Sequence, residues 1–230
     1  LAEGESFMES IAQTVDSATF YSNVNINGKQ FHGLAPRYNT LANPNVVNGG
    51  GAGSDNSSIW FVTHGDQQTS VIVPENIPAG IQREDMGRQR ILDGAGNPYY
   101  VKEEKFTQHV GVTVKDWRYN ARVANIDVSD LIAGSTALNP LMRKAYYKMQ
   151  GRRNYSLDVA GQFNPGNTVI YMNKTLMEAL DAESTNARGG STDNFVRLVP
   201  KELQGEEVLT WRGMPIRETD SLLNTESAIS

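Results

Sequence analysis

The chain has 230 residues, 39% hydrophobic and 8% aromatic, with no cysteine and a net charge of −5 from 21 basic and 26 acidic residues. A chain of this length buries roughly 70–75% of its unfolded surface, and lack of cysteine excludes disulfides, thiolate nucleophiles and cysteine metal sites. No apolar run approaches the about 18 residues of a membrane helix, Leu1–Phe7 does not read as a secretory signal, and the acidic balance argues against gripping nucleic acid through clustered Lys and Arg.

Phe7, Met8, Ile11, Ala12, Val15 and Ala18 recur at three- and four-residue spacing and predict an amphipathic helix at the start of the chain. Asn39 to Ser58 is polar and contains Gly49-Gly50-Gly51-Ala52-Gly53. It fits neither the dinucleotide fingerprint nor a P-loop, and predicts a flexible surface excursion. From Ile59 the period becomes two, predicting strands near 59–63, 69–73, 98–102, 106–114 and 117–126. Asp93-Gly94-Ala95-Gly96-Asn97-Pro98 predicts a hairpin turn between Arg90-Ile91-Leu92 and Tyr99-Tyr100-Val101.

Ser129 is placed to cap a short helix at 130–133. Asn139-Pro140 supplies a cap and an N1 proline for a helix from Leu141 to Gln150, ending at Gly151. Val169–Met172 reads as a strand, Asn173 as the cap of a helix to about Ala182, and 187–191 as a loop. Val208–Trp211 and Met214–Glu218 pair across Arg212-Gly213. The class is α+β, with strands outnumbering helices.

Chemistry is hard to place on this chain. Three histidines could act as a base: His32, His64 and His109. His64 stands beside an acid in Thr63-His64-Gly65-Asp66, which also reads as a turn between strands. No histidine has a partner at i+4 and no G-x-S-x-G occurs. Glu84-Asp85, Glu103-Glu104 and Glu206-Glu207 are adjacent pairs, which a strand sends to opposite faces, so they cannot flank one bond. Asp127 and Asp130 lack the alternation of a calcium loop. Trp117 and Tyr119 would share one strand face with Arg118 on the other, as packing residues. Arg143, Lys144, Lys148, Arg152 and Arg153 form the one basic concentration, with three readings: helix-dipole complementation, contact with an acidic neighbour, or nucleic acid. No catalytic, cofactor-binding or metal residue is assigned.

The order strand–T-H-G-D–strand–A-G-I-Q-R-E-D-M-G, then V-G-V-T-V-K-D-W-R-Y-N-A-R-V-A-N-I, resembles the major capsid proteins of tailed phages, in particular those of epsilon-fifteen-like podoviruses. V-I-Y-M-N-K-T-L-M-E-A-L at 169–180 and V-L-T-W-R-G-M-P-I-R-E-T-D-S-L-L-N-T-E at 208–226 agree with it. So do Phe20-Tyr21-Ser22 and Phe31-His32-Gly33-Leu34-Ala35-Pro36-Arg37-Tyr38. The resemblance implies the Hong Kong 97-type capsid fold. Residues 1–40 would form a peripheral portion with the end of a spine helix. Residues 41–230 would form an axial domain with a central mixed sheet flanked by helices, the last hairpin lying in one part or the other. The chain would correspond to the C-terminal portion, without the family's N-terminal arm and extended loop. It implies a non-enzymatic major capsid protein that self-assembles into pentamers and hexamers of an icosahedral shell, with no cofactor. Its partners would be its own copies and scaffold, portal or decoration proteins, with DNA as non-specific contents. It would reside in the virion after assembly in the host cytoplasm. Two other readings stay open: a β-rich ligand- or carbohydrate-binding phage module, such as a decoration or receptor-binding protein, and an enzyme centred on His64 and Asp66.

Overall fold

An unbroken apolar run such as Ile59-Trp60-Phe61-Val62 suits a strand covered on both faces, and it forms the middle of a central strand. The computed structural model describes residues 2–150, 166–185, 198–203 and 206–230. Its main sheet, nine-stranded among those residues, runs β1 (Val46–Asn48), β7 (Ala121–Asp127), β2 (Asn56–His64), β8 (Asn167–Met172), β11 (Met214–Glu218), β10 (Glu206–Trp211), β9 (Val199–Leu203). β1 is parallel to β7 and β11 to β8; the other neighbours in that order are antiparallel. β3 (Thr69–Ile72) touches β2 at one register pair and pairs with β6 (Gly111–Val114). This is the α+β class with a central mixed sheet and helices.

Alternation along β2 builds two cores. Ile59 and Phe61 face α3 (Leu138–Lys148) and α4 (Lys174–Thr185), packing with Val123, Met142, Ile170, Leu176 and Trp211. Trp60 and Val62 face the other way, against Phe20 at the end of α1 (Ala2–Tyr21), Leu34, Tyr38 and Leu222. A β-bulge in β7 keeps this two-sided packing in register. Ser57 pairs with Ile126 and Ile59 with Val123, so Ala124 and Asn125 together oppose Ser58. Asn125 takes φ of +56°, tolerable for Asn. Without the extra residue Ile126 would point away from Ala121 and Val123; with it, all three join one core.

The polar glycine-rich stretch is tight rather than flexible. β1 lies inside it, with Val46 and Val47 buried. Gly49 and Gly51 continue along the bulge, donating to the Ala124 and Asn125 carbonyls at 2.8 and 2.7 Å. A Cβ on Gly49 would lie 2.6 Å from the Asn125 carbonyl oxygen. Composition cannot show such an approach, because β7 creates it from far away in sequence.

Capping also differs from local expectation. α3 starts at Leu138, and Asn139 and Pro140 lie inside it. Its first amides are satisfied from α4: the Glu183 carboxylate accepts from Leu138 N at 2.5 Å and Asn139 N at 3.1 Å. Asp127, not Ser129, caps α2 (Val128–Ile132), accepting from Asp130 N at 2.9 Å. Asn173 caps α4 as expected, with Leu176 N at 2.9 Å from Oδ1. Trp117–Tyr119 is a 3-10 turn ahead of β7, not a strand. Tyr119 is therefore buried while Trp117 is 47% exposed, so the two do not share a face. The hairpin across Arg212-Gly213 forms as read, both residues having positive φ. Gly151, Arg152, Arg153 and the 187–191 loop lie outside the described residues.

The segment after β11 straps the second core. Asn125 holds Ile229 through two 2.9 Å bonds, Nδ2 donating to the Ile229 carbonyl and Oδ1 accepting from its amide. Asn56 and Glu226 exchange backbone bonds at 3.3 and 2.9 Å. Glu226 then reaches inward: one carboxylate oxygen accepts from Tyr21 Oη at 2.5 Å, the other from Ser58 Oγ at 2.5 Å and Arg122 Nη2 at 2.9 Å. Arg122 also donates to Ser58 Oγ and the Tyr38 carbonyl, and lies 4.9 Å over the Trp60 ring. The side chains of Arg122 and Glu226 are only 5% and 6% exposed.

Candidate assembly interface

The feature that stands apart from both cores is a two-stranded ribbon, β4 (Ile81–Leu92) and β5 (Pro98–Gln108). Its strands pair only with each other. Eleven residues of β5 at about 3.3 Å each give a projection of about 36 Å. The sequence marked the turn correctly, and Asp93 holds it by accepting from the Asn97, Ala95 and Gly96 region, with Asn97 N at 2.7 Å. Those amides hold the Asp93 carboxyl below its usual range. The strands on either side exceed the short pieces read from sequence: β5 is continuous through 103–105, and β4 was read only at 90–92. A bulge between Asp85 and Gly87 leaves Met86 unpaired and 41% exposed.

Near the base the ribbon is laced by charge. Arg83 grips Glu104 with two hydrogen bonds of 2.9 and 2.8 Å, holding its carboxyl below the ordinary range. Lys102 meets Asp85 at 3.3 Å and Lys105 meets Glu84 at 4.0 Å. Of the paired carboxylates in the sequence, Glu84, Asp85 and Glu104 are therefore ribbon ties rather than members of an acid–base pair; the side chains of Glu206 and Glu207 lie outside the described residues. Phe106 stacks on Phe7 of α1, centroids 6.4 Å apart. At the tip Ile91, Leu92, Tyr99 and Tyr100 are 38–64% exposed. An isolated two-stranded hairpin is marginal in water, and clustered exposed apolar groups mark contact surfaces.

The expected site residues do not gather. Asp66 is exposed, and His64 instead places Nε2 2.9 Å from Tyr171 Oη, its ring edge-on to that tyrosine. His109 is exposed between β5 and β6, outside the strand in which it was read. His32 Nδ1 accepts from Val24 N at 3.3 Å. Lys148 donates to the Val46 carbonyl at 2.7 Å, so one member of the basic group ties α3 to β1. Among the described residues no three His, Asp or Glu are arranged to hold a metal. Sequence reading missed the Arg122–Glu226 pair; an arginine inside the apolar strand A-R-V-A-N-I was the available signal.

Burial holds the His64 pKa below its ordinary value near 6.5. The neutral ring is favoured in the fold, so its stabilising effect is complete above pH 6.5. It is lost as pH falls from 6.5 toward the lower folded value. A His64→Gln variant is expected to flatten the stability–pH curve just below pH 6.5, measured by urea unfolding at several pH values. An unchanged slope would assign the effect to other groups.

Comparison with known proteins places these surfaces in context. A family model described as "Major capsid protein GP7" matches residues 1–230. Among solved structures, the chain is similar to one from a near-atomic cryo-EM structure of bacteriophage Epsilon15, with 29% identity and a TM-score of 0.66. The match covers 99% of this chain and 66% of that one, so the chain spans just under two thirds of its relative's length. No curated protein matches.

Proposed function

This chain belongs to the major capsid protein GP7 family, and from that premise we propose that it builds an icosahedral phage head as pentamers and hexamers of itself. The observation that carries this reading is the ribbon, whose apolar tip and solvated strands have little reason to exist in an isolated molecule. Many modest contacts suffice for such a shell. One interface of about 1,600 Å² gives anything from micromolar affinity upward after entropy losses, and ring closure makes later contacts effectively intramolecular.

The peripheral part in this reading is residues 1–40 together with the ribbon, because Phe106 lies on Phe7; the remaining residues form the axial part. The protein works without catalysis or cofactor. It resides in the virion after assembly in the host cytoplasm, meeting scaffold, portal or decoration proteins there, with DNA as enclosed contents. Electron microscopy and sedimentation of the purified protein test this. Rings of five and six or closed shells are expected; a monodisperse monomer at every concentration would overturn it.

A further inference from the structure

Two Asn-Gly dipeptides occur in the chain, Asn27-Gly28 and Asn48-Gly49. Both asparagines are exposed. Both also sit in the same kind of local turn: Asn27 Oδ1 accepts from Lys29 N at 3.1 Å, and Asn48 Oδ1 from Gly50 N at 2.9 Å. In each, that N–H stands where charge would develop if the side-chain carbonyl were attacked. The glycine that follows has no Cβ to shield its nitrogen from the asparagine side chain. Sequence and exposure make the two sites equivalent. The backbone does not.

Gly49 N is committed. It donates to the Ala124 carbonyl at 2.8 Å, and a Gly49 Cβ would stand 2.6 Å from the Asn125 carbonyl oxygen. That peptide cannot swing without breaking the bond that continues the β1–β7 ladder. Asn125 Nδ2 holds the Asn48 side chain as well, at 3.3 Å. Gly28 N, by contrast, donates to nothing among the described residues, and nothing lies within 4 Å of its Cβ position. Its peptide is opposed by an exposed turn bond, Gln30 N to the Asn27 carbonyl at 3.1 Å. The loop around it is sealed at its neck. Gly33 N donates to the Ser22 carbonyl at 2.9 Å, and Ser22 Oγ to the Phe31 carbonyl at 2.6 Å.

We propose that Asn27 is a site of self-modification, converting to aspartate and isoaspartate through Gly28, while Asn48 stays intact. The Gly28 nitrogen gives up its proton and attacks Asn27 Cγ. The N–Cγ bond forms, the bond from Cγ to the amide nitrogen breaks, and ammonia leaves with the proton. Water then opens the five-membered imide. Hydrolysis at Cγ gives aspartate; hydrolysis at the main-chain carbonyl gives isoaspartate, with the chain rerouted through Cβ and Cγ. Either product places a new negative charge two residues before Lys29. The sealed neck confines the change to the loop, so both cores keep their packing. The mark accumulates with the age of the molecule and does not depend on shell formation.

The test is peptide mapping by mass spectrometry of the full chain, aged in mildly alkaline buffer both folded and in urea. In the fold Asn27 is expected to convert about tenfold faster than Asn48, or more, the factor set by the ladder bond that Gly49 would lose. In urea both peptides are released, and the two rates should become similar. Asn27→Gln abolishes the folded-state conversion at this loop, because its longer side chain would need a six-membered ring. The converted protein should keep the thermal midpoint of the parent. Equal rates at the two sites in the fold overturn the proposal. So does an Asn27 that converts in urea but not in the fold, or one that converts in neither. A midpoint that falls as conversion proceeds overturns the confinement to the loop.

Discussion

Replacing Glu226 with Ala is expected to destabilise the fold by about 3–5 kcal/mol, the cost of breaking a buried ion pair from one side. The change removes three acceptor contacts at once. Arg122 keeps its charge at 5% exposure with no counterion, and the hydroxyls of Tyr21 and Ser58 lose the acceptor for their protons. The pair itself is a separate matter. A double variant, Arg122→Met with Glu226→Leu, is expected to regain much of the loss, because apolar groups of similar volume replace such pairs at little cost. Urea unfolding with an unchanged m-value reads both effects. A loss below about 1 kcal/mol would show that water reaches Arg122 and screens it. The phenol adds an alkaline limb: burial, then the Glu226 charge, raises the Tyr21 pKa above its usual 10. Its contribution is present below pH 10 and fades as pH rises beyond it.

Gly51→Ala is expected to cost about 3 kcal/mol, at the upper end of overpacking effects. The added methyl would sit 2.1 Å from Asn56 Oδ1 and 2.9 Å from both the Asn125 carbonyl oxygen and the Asp127 amide nitrogen. Backbone on two sides cannot yield, and Asn56 is fully buried with Nδ2 donating to the Gly53 and Glu226 carbonyls. Gly28→Ala serves as the control: nothing lies within 4 Å of its Cβ position, so the change should be neutral or slightly stabilising. Thermal unfolding of the two variants side by side decides the matter. Equal midpoints would mean that the glycine-rich stretch is as loose as its composition suggests.

What sequence reveals here depends on how local the cause is. Ile59–Val62 declares a central strand because burial on both faces removes every polar position. Asn173 declares a cap because its own side chain does the capping. Arg212-Gly213 declares a hairpin because Gly213 adopts positive φ freely, and Arg212 takes it too once the two strands pair. The α3 start is hidden, since its acceptor is Glu183, 45 residues from Leu138. Asn139 is free for other partners and accepts from Trp211 Nε1 at 3.0 Å. The ribbon was half visible. Both of its faces meet solvent, so Arg, Glu and Lys occupy them without alternation and no period of two survives.

The Tyr21–Glu226 bond joins residues 205 apart in the chain. During synthesis, a ribosome must therefore deliver almost every residue discussed above before that knot can be tied. Contacts so distant are slow to form, since a long loop must close first. A nascent polypeptide cut short of Glu226 would leave the end of α1 without this clasp. Such a truncated product is expected to unfold more readily than the longer chain, since Arg122 would stay buried without its counterion.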